Sequence, residues 1–184
     1  MKSPLSASVW LRIIVWSIFL VGGLLLSLYL DRVLFPEHSV SPFRHLISGV
    51  IGAWLLWLVL RIARNTGRTL AHFGRKGTLP RLETNRLVTA GPYGCMRHPM
   101  HLGLMLFPLA VALLAGSPAF IFIVAPLEAA IMAMLVLTLE EREAIHKFGA
   151  AYLDYRRQVP AFTLRPACLR QLLGPAPGSA NHPD

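Results

Sequence analysis

The stretch LVTAGPYGCMRHPMHLG, residues 87–103, connects a basic segment to a long apolar one and decides how the chain is organised. Its Gly91-Pro92 step predicts a turn. Pro99 predicts the start of a helix, because proline suits the first helical position and disfavours helix in the residue before it. Arg97 and His98 are therefore expected at the mouth of a helix.

A pair of acids, Glu140 and Glu141, follows the apolar residues that come after this stretch. If those apolar residues fold back as a hairpin, the acids return to the surface that carries Arg97 and His98. Ionisable groups that converge where helices leave a membrane are typical of a functional site. We therefore interpret residues 87–103 and the acid pair as one candidate cofactor pocket.

The composition indicates a membrane protein. Of the 184 residues, 54% are hydrophobic and only 15% are charged, which is too apolar for an ordinary soluble domain. The formal net charge of +9 at pH 7 would suit nucleic acid, but the basic residues alternate with apolar runs, where they usually mark the cytoplasmic face. The sequence thus predicts membrane lipids as partners and no nucleic acid.

Four apolar runs predict an all-α integral membrane fold with about four transmembrane helices, since one crossing needs roughly 20 residues. These runs are residues 10–30, 46–60, 101–115 and 119–139. Gly116-Ser117-Pro118 predicts a tight turn, so the last two runs form a C-terminal hairpin, and Pro108 predicts a kink in the third. The first run lacks a cleavage site and is expected to be an anchor.

Lysine and arginine are distributed unevenly between the segments that separate these runs. Only Arg32 and Arg44 lie in the first connection, whereas residues 61–97 carry eight basic residues against the single acid Glu83. By the positive-inside rule, residues 61–97 form a cytoplasmic loop and both termini are cytoplasmic. We expect a multi-pass protein, in the cell membrane if it is bacterial and in the endoplasmic reticulum if it is eukaryotic.

The residues after the acid pair predict an amphipathic helix along the membrane surface. Its apolar positions follow helical spacing and are Ile145, Phe148, Tyr152 and Tyr155. We expect a single membrane domain over residues 1–170, with the cofactor site in residues 87–166 and a mobile tail over residues 171–184. Cys95 and Cys168 both fall on the expected cytoplasmic side, so no disulfide is predicted.

The polar groups of the pocket match those of S-adenosylmethionine, which presents a carboxylate, an ammonium, a ribose diol and an adenine. Arg97 suits the carboxylate, and Glu140 or Glu141 suits the ammonium or the ribose. Arg97, His98 and Glu141 are the predicted catalytic residues. The residues predicted to bind the cofactor are Gly91, Pro92, Tyr93, Arg97, His98, Pro99, His101, Gly103, Glu140, Glu141 and Tyr152.

These charged residues also have simpler interpretations. Arg97 is consistent with a positive-inside anchor, and Glu140-Glu141 with first-turn acids that a helix dipole favours. Glu128, within the fourth run, is expected either to line an acceptor channel or to be protonated against a neighbouring helix.

Cys95, His98 and His101 form a CxxHxxH pattern whose residue types and spacing suit zinc. No clear fourth ligand is nearby, and the pattern is better explained as a turn and a helix start. No metal site is predicted.

In their order, these motifs resemble those of the isoprenylcysteine carboxyl methyltransferase and phospholipid methyltransferase superfamily, whose members carry GPY...RHPxYxG, a later glutamate pair and an FGxxYxxY helix. The corresponding residues here are Gly91-Pro92-Tyr93, Arg97-His98-Pro99, Gly103, Glu140-Glu141, Phe148-Gly149, Tyr152 and Tyr155. The resemblance covers residues 87–166. One departure is His101, which replaces the tyrosine expected two residues after the proline.

The resemblance implies a multi-helix membrane enzyme that transfers a methyl group from S-adenosylmethionine to a lipophilic or small-molecule acceptor entering from the bilayer. Acceptors in this superfamily include prenylcysteine carboxylates, phospholipid amines and small thiols, so the resemblance specifies the donor better than the acceptor. Two alternatives stay open: an NADPH-dependent sterol-reductase-like membrane enzyme, and a non-enzymatic membrane subunit that binds a lipid or a partner.

Overall fold

The computed structural model describes residues 7–36, 41–78 and 83–174. Within these residues the chain is helical and has no β-strand, which confirms the predicted all-α class. Its α-helices are α1 Ala7–Leu34, α2 Pro42–Phe73, α3 Pro92–Cys95, α4 Pro99–Leu104, α5 Phe107–Ala115, α6 Ala125–Leu135, α7 Glu141–Phe148, α8 Ala150–Gln158 and α9 Pro166–Leu173. Two π-helical turns, Phe120–Val124 and Val136–Glu140, precede α6 and α7.

Three helices in the described part of the chain are long and apolar enough to cross a membrane. They are Ile13–Leu34, Pro42–Phe73 and Phe120–Phe148. Large apolar side chains on them are exposed, including Ile18, Phe43 and Phe122, as expected for surfaces that face lipid. These helices support association with a membrane.

The third predicted span is the shorter apolar helix Pro99–Ala115. It is interrupted, because α4 ends at Leu104 and α5 begins at Phe107. Pro108 lacks an N–H, and its ring clashes with the carbonyl four residues earlier, which belongs to Leu104. The effect of Pro108 was therefore predicted correctly, but the helix breaks one turn before the proline.

The expected loop over residues 61–97 was wrong in its first part, because α2 continues to Phe73. Arginine has a high helix propensity, so the basic residues after Leu60 do not stop the helix. It stops at Gly74, where a Cβ would lie 2.6 Å from the carbonyl oxygen of Leu70 and 2.8 Å from Thr84.

The predicted surface helix after the acid pair also differs from the structure. Its first part, α7, continues directly from the apolar helix, and Gly149, at φ 57°, separates α7 from α8. That φ lies in the region that favours glycine. Tyr152 and Tyr155 are buried within the protein rather than placed along an exposed apolar face.

The described residues divide into two compact units. The unit that we call the motif unit comprises residues 60–103 and 134–174, and the span unit comprises Ala7–Val59 and Leu104–Ala133. In the span unit, Glu128 packs against α1, where a Cβ at Gly23 would overlap its carboxylate. Its Oε1 atom is buried without a hydrogen-bond partner among the described residues. Glu128 thus contacts a helix neighbour, and its protonation stays a prediction.

The core of the motif unit joins α9 to α2 and to the motif. Its buried residues are Ile62, Met96, Cys168 and Leu172. Asn65 Nδ2 donates to the carbonyls of Gln171 at 3.0 Å and Leu172 at 2.8 Å, which satisfies carbonyls that the end of α9 leaves open. The first residues of the predicted tail therefore belong to a packed helix, whereas residues 175–184 lie outside the described part.

Candidate active site

The arginine-histidine step occupies the irregular gap between α3 and α4. Pro99 disfavours helix at His98, so the backbone N–H groups of this step are free to bind elsewhere. The N–H of Arg97 donates to the carbonyl of Pro160 at 2.9 Å, and that of His98 donates to Ala161 at 3.2 Å. The motif is thereby attached to the segment that follows α8.

The side chain of Arg97 joins α7 to the end of α8. Its Nε donates to Glu141 Oε1 at 2.9 Å, and its Nη2 bonds the same oxygen. Its Nη1 donates to the carbonyls of Arg156 at 3.2 Å and Val159 at 2.5 Å. The Arg97 and Glu141 side chains are only 8% and 4% exposed, so this is a buried ion pair with additional hydrogen bonds.

Glu141 also contacts two other basic side chains. Arg156 Nε lies 3.2 Å from Oε2, and His98 Nε2 lies 3.3 Å from Oε1. Burial, reinforced by nearby His101, lowers the pKa of His98 to about 4, so its imidazole is neutral at pH 7. Because an ionised carboxylate only accepts hydrogen bonds, we assign the proton of the neutral imidazole to Nε2, which donates a hydrogen bond to Glu141.

Three tyrosines lie close to this cluster. The Tyr155 hydroxyl donates to the carbonyl of Tyr93 at 2.5 Å, and the Tyr152 and Tyr155 rings are 6.0 Å apart. Burial raises the pKa of Tyr93 and of Tyr155, so both phenols are protonated at neutral pH. The buried hydroxyl of Tyr93 has no hydrogen-bond partner among the described residues, whereas the buried hydroxyl of Tyr152 lies near the Arg97 guanidinium.

A cavity of about 640 Å³ adjoins the start of the motif. It is lined by Gly91, Pro92, Gly94, Cys95, Arg170, Gln171 and Gly174. Sequence reasoning missed Arg170 and Gln171, because the cofactor site was expected to end at residue 166 and Gln171 was assigned to the tail. The helical PACLRQLL segment that starts at Pro166 was the available signal for α9.

The predicted site residues fall into three groups. Those gathered around the ion pair are Tyr93, Arg97, His98, His101, Glu141 and Tyr152, with the His101 ring 5.8 Å from that of His98. Gly91 and Pro92 line the cavity. The remaining three hold structural positions: Pro99 begins α4, Gly103 packs against Ile62, and Glu140 ends a π-helical turn. Whether any of them contacts a cofactor stays a prediction.

The prediction of no disulfide was wrong, since Cys95 and Cys168 are paired. Packing of α9 against α3 brings their Cα atoms to 5.6 Å, within the usual range for a disulfide. The prediction rested on the expected compartment and took no account of this packing. In the described part of the chain, no group of three His, Cys, Asp or Glu side chains is arranged to hold a metal ion.

Helices of membrane-crossing length and a buried charged cluster in the motif unit define a helical protein that associates with a membrane. The chain belongs to the phospholipid methyltransferase family, which its residues 43–155 match. This membership confirms the resemblance drawn from the motifs.

Two curated relatives are similar over most of this chain. Methanethiol S-methyltransferase 2 from Bradyrhizobium diazoefficiens is 32% identical over 154 residues, which are 77% of this chain and 58% of that protein. Cobalt-zinc-cadmium resistance protein CzcN from Cupriavidus metallidurans is 31% identical over 151 residues, 74% of this chain and 68% of that protein. The chain thus spans less than two thirds of the first relative's length. No solved structure matches it.

Proposed function

We propose that this protein is a membrane methyltransferase that uses S-adenosylmethionine as donor and acts on a lipophilic acceptor. The observation that carries the proposal is the buried cluster of Arg97, His98 and Glu141. It unites the arginine-histidine-proline step with the glutamate pair, and it lies close in sequence to the residues that line the cavity. Family membership supports methyl transfer as the reaction.

The residues at the site fit such a donor. A cavity of about 640 Å³ falls within the roughly 300–1,000 Å³ of small-molecule sites. Tyr93 lies in sequence between the lining residues Pro92 and Gly94, and its buried hydroxyl has no partner among the described residues. A ligand that bonds this hydroxyl would remove an existing cost. Arg170 supplies a cation for a carboxylate, and Gln171 supplies an amide for ribose or adenine.

We assign Arg97 a positioning role rather than direct contact with the donor. Its guanidinium already bonds Glu141 and two backbone carbonyls, so contact with a ligand carboxylate would require it to leave these partners. It holds α7 and α8 against the motif and so fixes the residues around the cavity. Arg170, which is exposed at the cavity, takes the carboxylate in this proposal.

S-adenosylmethionine would supply an activated methyl group: in an in-line displacement the acceptor would bond the methyl carbon as its bond to sulfur breaks, and the neutral thioether would leave. The protein contributes alignment of the two reactants and exclusion of water. Glu141 is neutralised by Arg97 and Arg156, which avoids a ground-state ion pair with the sulfonium that would slow the transfer.

His98 bears on the choice of acceptor. An ammonium headgroup must lose a proton before it accepts a methyl group, whereas a carboxylate or thiolate need not. A pKa lowered to about 4 makes His98 a weak base. We therefore favour a carboxylate or thiolate acceptor on a lipophilic molecule that enters from the bilayer, with a phospholipid amine as the alternative.

Binding of the donor tests the proposal directly. Calorimetry of the purified protein in detergent should show saturable binding of S-adenosylmethionine and none of NADPH. Arg97→Lys should weaken donor binding at least about tenfold, because an ammonium cannot reproduce the fork that holds Glu141. Arg157→Lys, at an exposed surface pair, is the matched control and should bind normally. Absence of donor binding by the parent protein would refute the proposal, and binding of NADPH would favour a reductase.

The acceptor is identified by transfer of a labelled methyl group into a total lipid extract, with methanethiol in a parallel reaction. Mass identification of a labelled lipid methyl ester or methyl thioether supports the proposal. Label found only in methanethiol would show that the acceptor is not lipophilic.

We also propose a multi-pass arrangement with both termini on the cytoplasmic side. The uneven distribution of lysine and arginine supports it. Labelling of single cysteines added near each terminus, with a reagent that does not cross membranes, tests it in sealed vesicles.

A further inference from the structure

A second cavity, of about 420 Å³, lies within the motif unit along the part of α2 that follows its apolar run. Three arginines line it, Arg64, Arg68 and Arg75, against the single acid Glu83. The other lining residues are small or apolar apart from Thr84: they are Ala63, Gly67, Leu70, Ala71, Thr84 and Met100. The cavity therefore combines an excess of positive charge with apolar surface.

We propose that this arginine cavity binds the phosphate head group of an anionic membrane phospholipid. Arg64 and Arg68 are one helical turn apart on α2, so their guanidinium groups extend from the same face. Both are exposed, and neither forms an ion pair with another residue in the described part of the chain. Planar guanidinium groups bind phosphate oxygens with paired hydrogen bonds.

The position of these arginines along α2 favours a lipid over a soluble anion. Trp54 and Trp57 are exposed on the same helix, and Arg61 follows them. Aromatic residues followed by basic ones mark the interface between bilayer and water. At a rise of 1.5 Å per residue, Arg64 and Arg68 lie about 5 and 10 Å beyond Arg61, at the depth of lipid head groups. The apolar part of the lining suits the adjoining glycerol and acyl chain.

The arginine cavity also touches the motif. Met100 lines it, and the Met100 methyl lies 3.6 Å from the position that a Cβ on Gly67 would take. Met100 is two residues from His98 in the first turn of α4. A bound lipid would thus contact α2 and the helix that follows the arginine-histidine step. This inference does not depend on the methyl-transfer proposal.

Binding of short-chain lipids to the purified protein in detergent tests the inference. The probes are phosphatidylglycerol, phosphatidylcholine and inorganic phosphate, and Kd is measured by thermophoresis. Phosphatidylglycerol should bind at least about tenfold more tightly than the other two. The double variant Arg64→Gln/Arg68→Gln should weaken it at least about tenfold, which corresponds to ~1.4 kcal/mol. Glu83→Gln should tighten it, because a repulsive charge is removed.

Two control variants show whether a loss of phosphatidylglycerol binding comes from this cavity, from surface charge in general or from misfolding. Arg142→Gln/Arg157→Gln removes the same charge at exposed positions of α7 and α8 and should leave binding unchanged. Ala71→Phe fills the cavity from an exposed position, keeps every arginine and should abolish the preference for phosphatidylglycerol.

Three outcomes would overturn the inference. They are equal losses in the two double variants, retained binding in the folded Ala71→Phe protein, and inorganic phosphate binding as tightly as phosphatidylglycerol.

Discussion

Replacing Glu141 by glutamine is expected to destabilise the protein strongly, because this carboxylate balances a buried cation. The Glu141 and Arg97 side chains are 4% and 8% exposed. Removing one partner of a buried ion pair costs about 3–5 kcal/mol, since the other charge is left uncompensated. We expect the lower value, ~3 kcal/mol, because the amide oxygen of glutamine still accepts a hydrogen bond from Arg97. The half-exposed Arg156 adds little.

Thermal unfolding of the purified protein in detergent, followed by circular dichroism, measures this effect. A loss of ~3 kcal/mol corresponds to a fall in Tm of roughly 6–12 °C for a chain of this length. Asp154→Asn is the matched control, because its partner Arg157 is exposed and such surface pairs contribute about 0–1 kcal/mol. A Tm for Glu141→Gln within about 2 °C of the parent would show that Glu141 does not balance the charge of Arg97.

Three further substitutions test separate contacts. Tyr155→Phe removes the hydroxyl that donates to the carbonyl of Tyr93 and should lower the free energy of unfolding by about 1 kcal/mol. An unchanged Tm would argue against this hydrogen bond. Gly103→Ala places a Cβ 2.7 Å from Ile62 and should cost about 1–3 kcal/mol. The cost should be smaller when the same change is made in an Ile62→Ala background, and no loss of stability in either background would contradict the close packing. His98→Asn should flatten the dependence of stability on pH. Burial lowers the pKa of His98 to about 4, so between pH 4 and about 6.5 only the unfolded chain gains the proton, and parent stability rises with pH by up to ~3 kcal/mol. We measure the unfolding free energies of the parent and the variant from pH 4 to 7. The parent value minus the variant value should rise with pH, and a flat or falling difference would refute the lowered pKa of His98.

The apolar helices could be predicted because length and hydropathy are local properties of the sequence. The end of α2 was missed because its basic residues were interpreted as a loop. The positive-inside rule assigns a side of the membrane to a segment and does not specify its backbone conformation. Residues 61–73 contain no proline and several good helix formers, but also Asn65, Thr66 and Gly67, so helix propensity permits the continuation to Phe73 without specifying it.

The pairing of Arg97 with Glu141 follows from a hairpin that returns the acids to the motif, and the structure places these residues together. The sequence did not predict that the backbone carbonyls of Arg156 and Val159 would accept hydrogen bonds from Nη1 of Arg97. Nor did it predict that α9 would contribute to the cavity wall. Both features depend on the path of the chain after α8, where proline positions predict breaks but no direction.

The paired charges of the buried cluster differ from the exposed charge at the cavity. We assign the buried cluster a structural role and the cavity a binding role. Within the buried cluster, the charges of Arg97 and Glu141 cancel and His98 is neutral, so this part of the cluster offers little attraction to the carboxylate of the proposed donor. In the proposal, that attraction comes from the cavity, where Arg170 is exposed. Arg170→Gln should weaken donor binding at least about tenfold and leave Tm unchanged, whereas Glu141→Gln should lower both.

Arg165→Gln, which removes an exposed charge just before α9, is the matched control for Arg170→Gln and should change neither quantity. Calorimetry and thermal unfolding of the same preparations measure the two effects. If Arg170→Gln lowers Tm as much as it lowers affinity, Arg170 is part of the scaffold. If it changes neither, the donor does not bind in this cavity. The donor carboxylate would then have to bind Arg97, which would first have to leave Glu141.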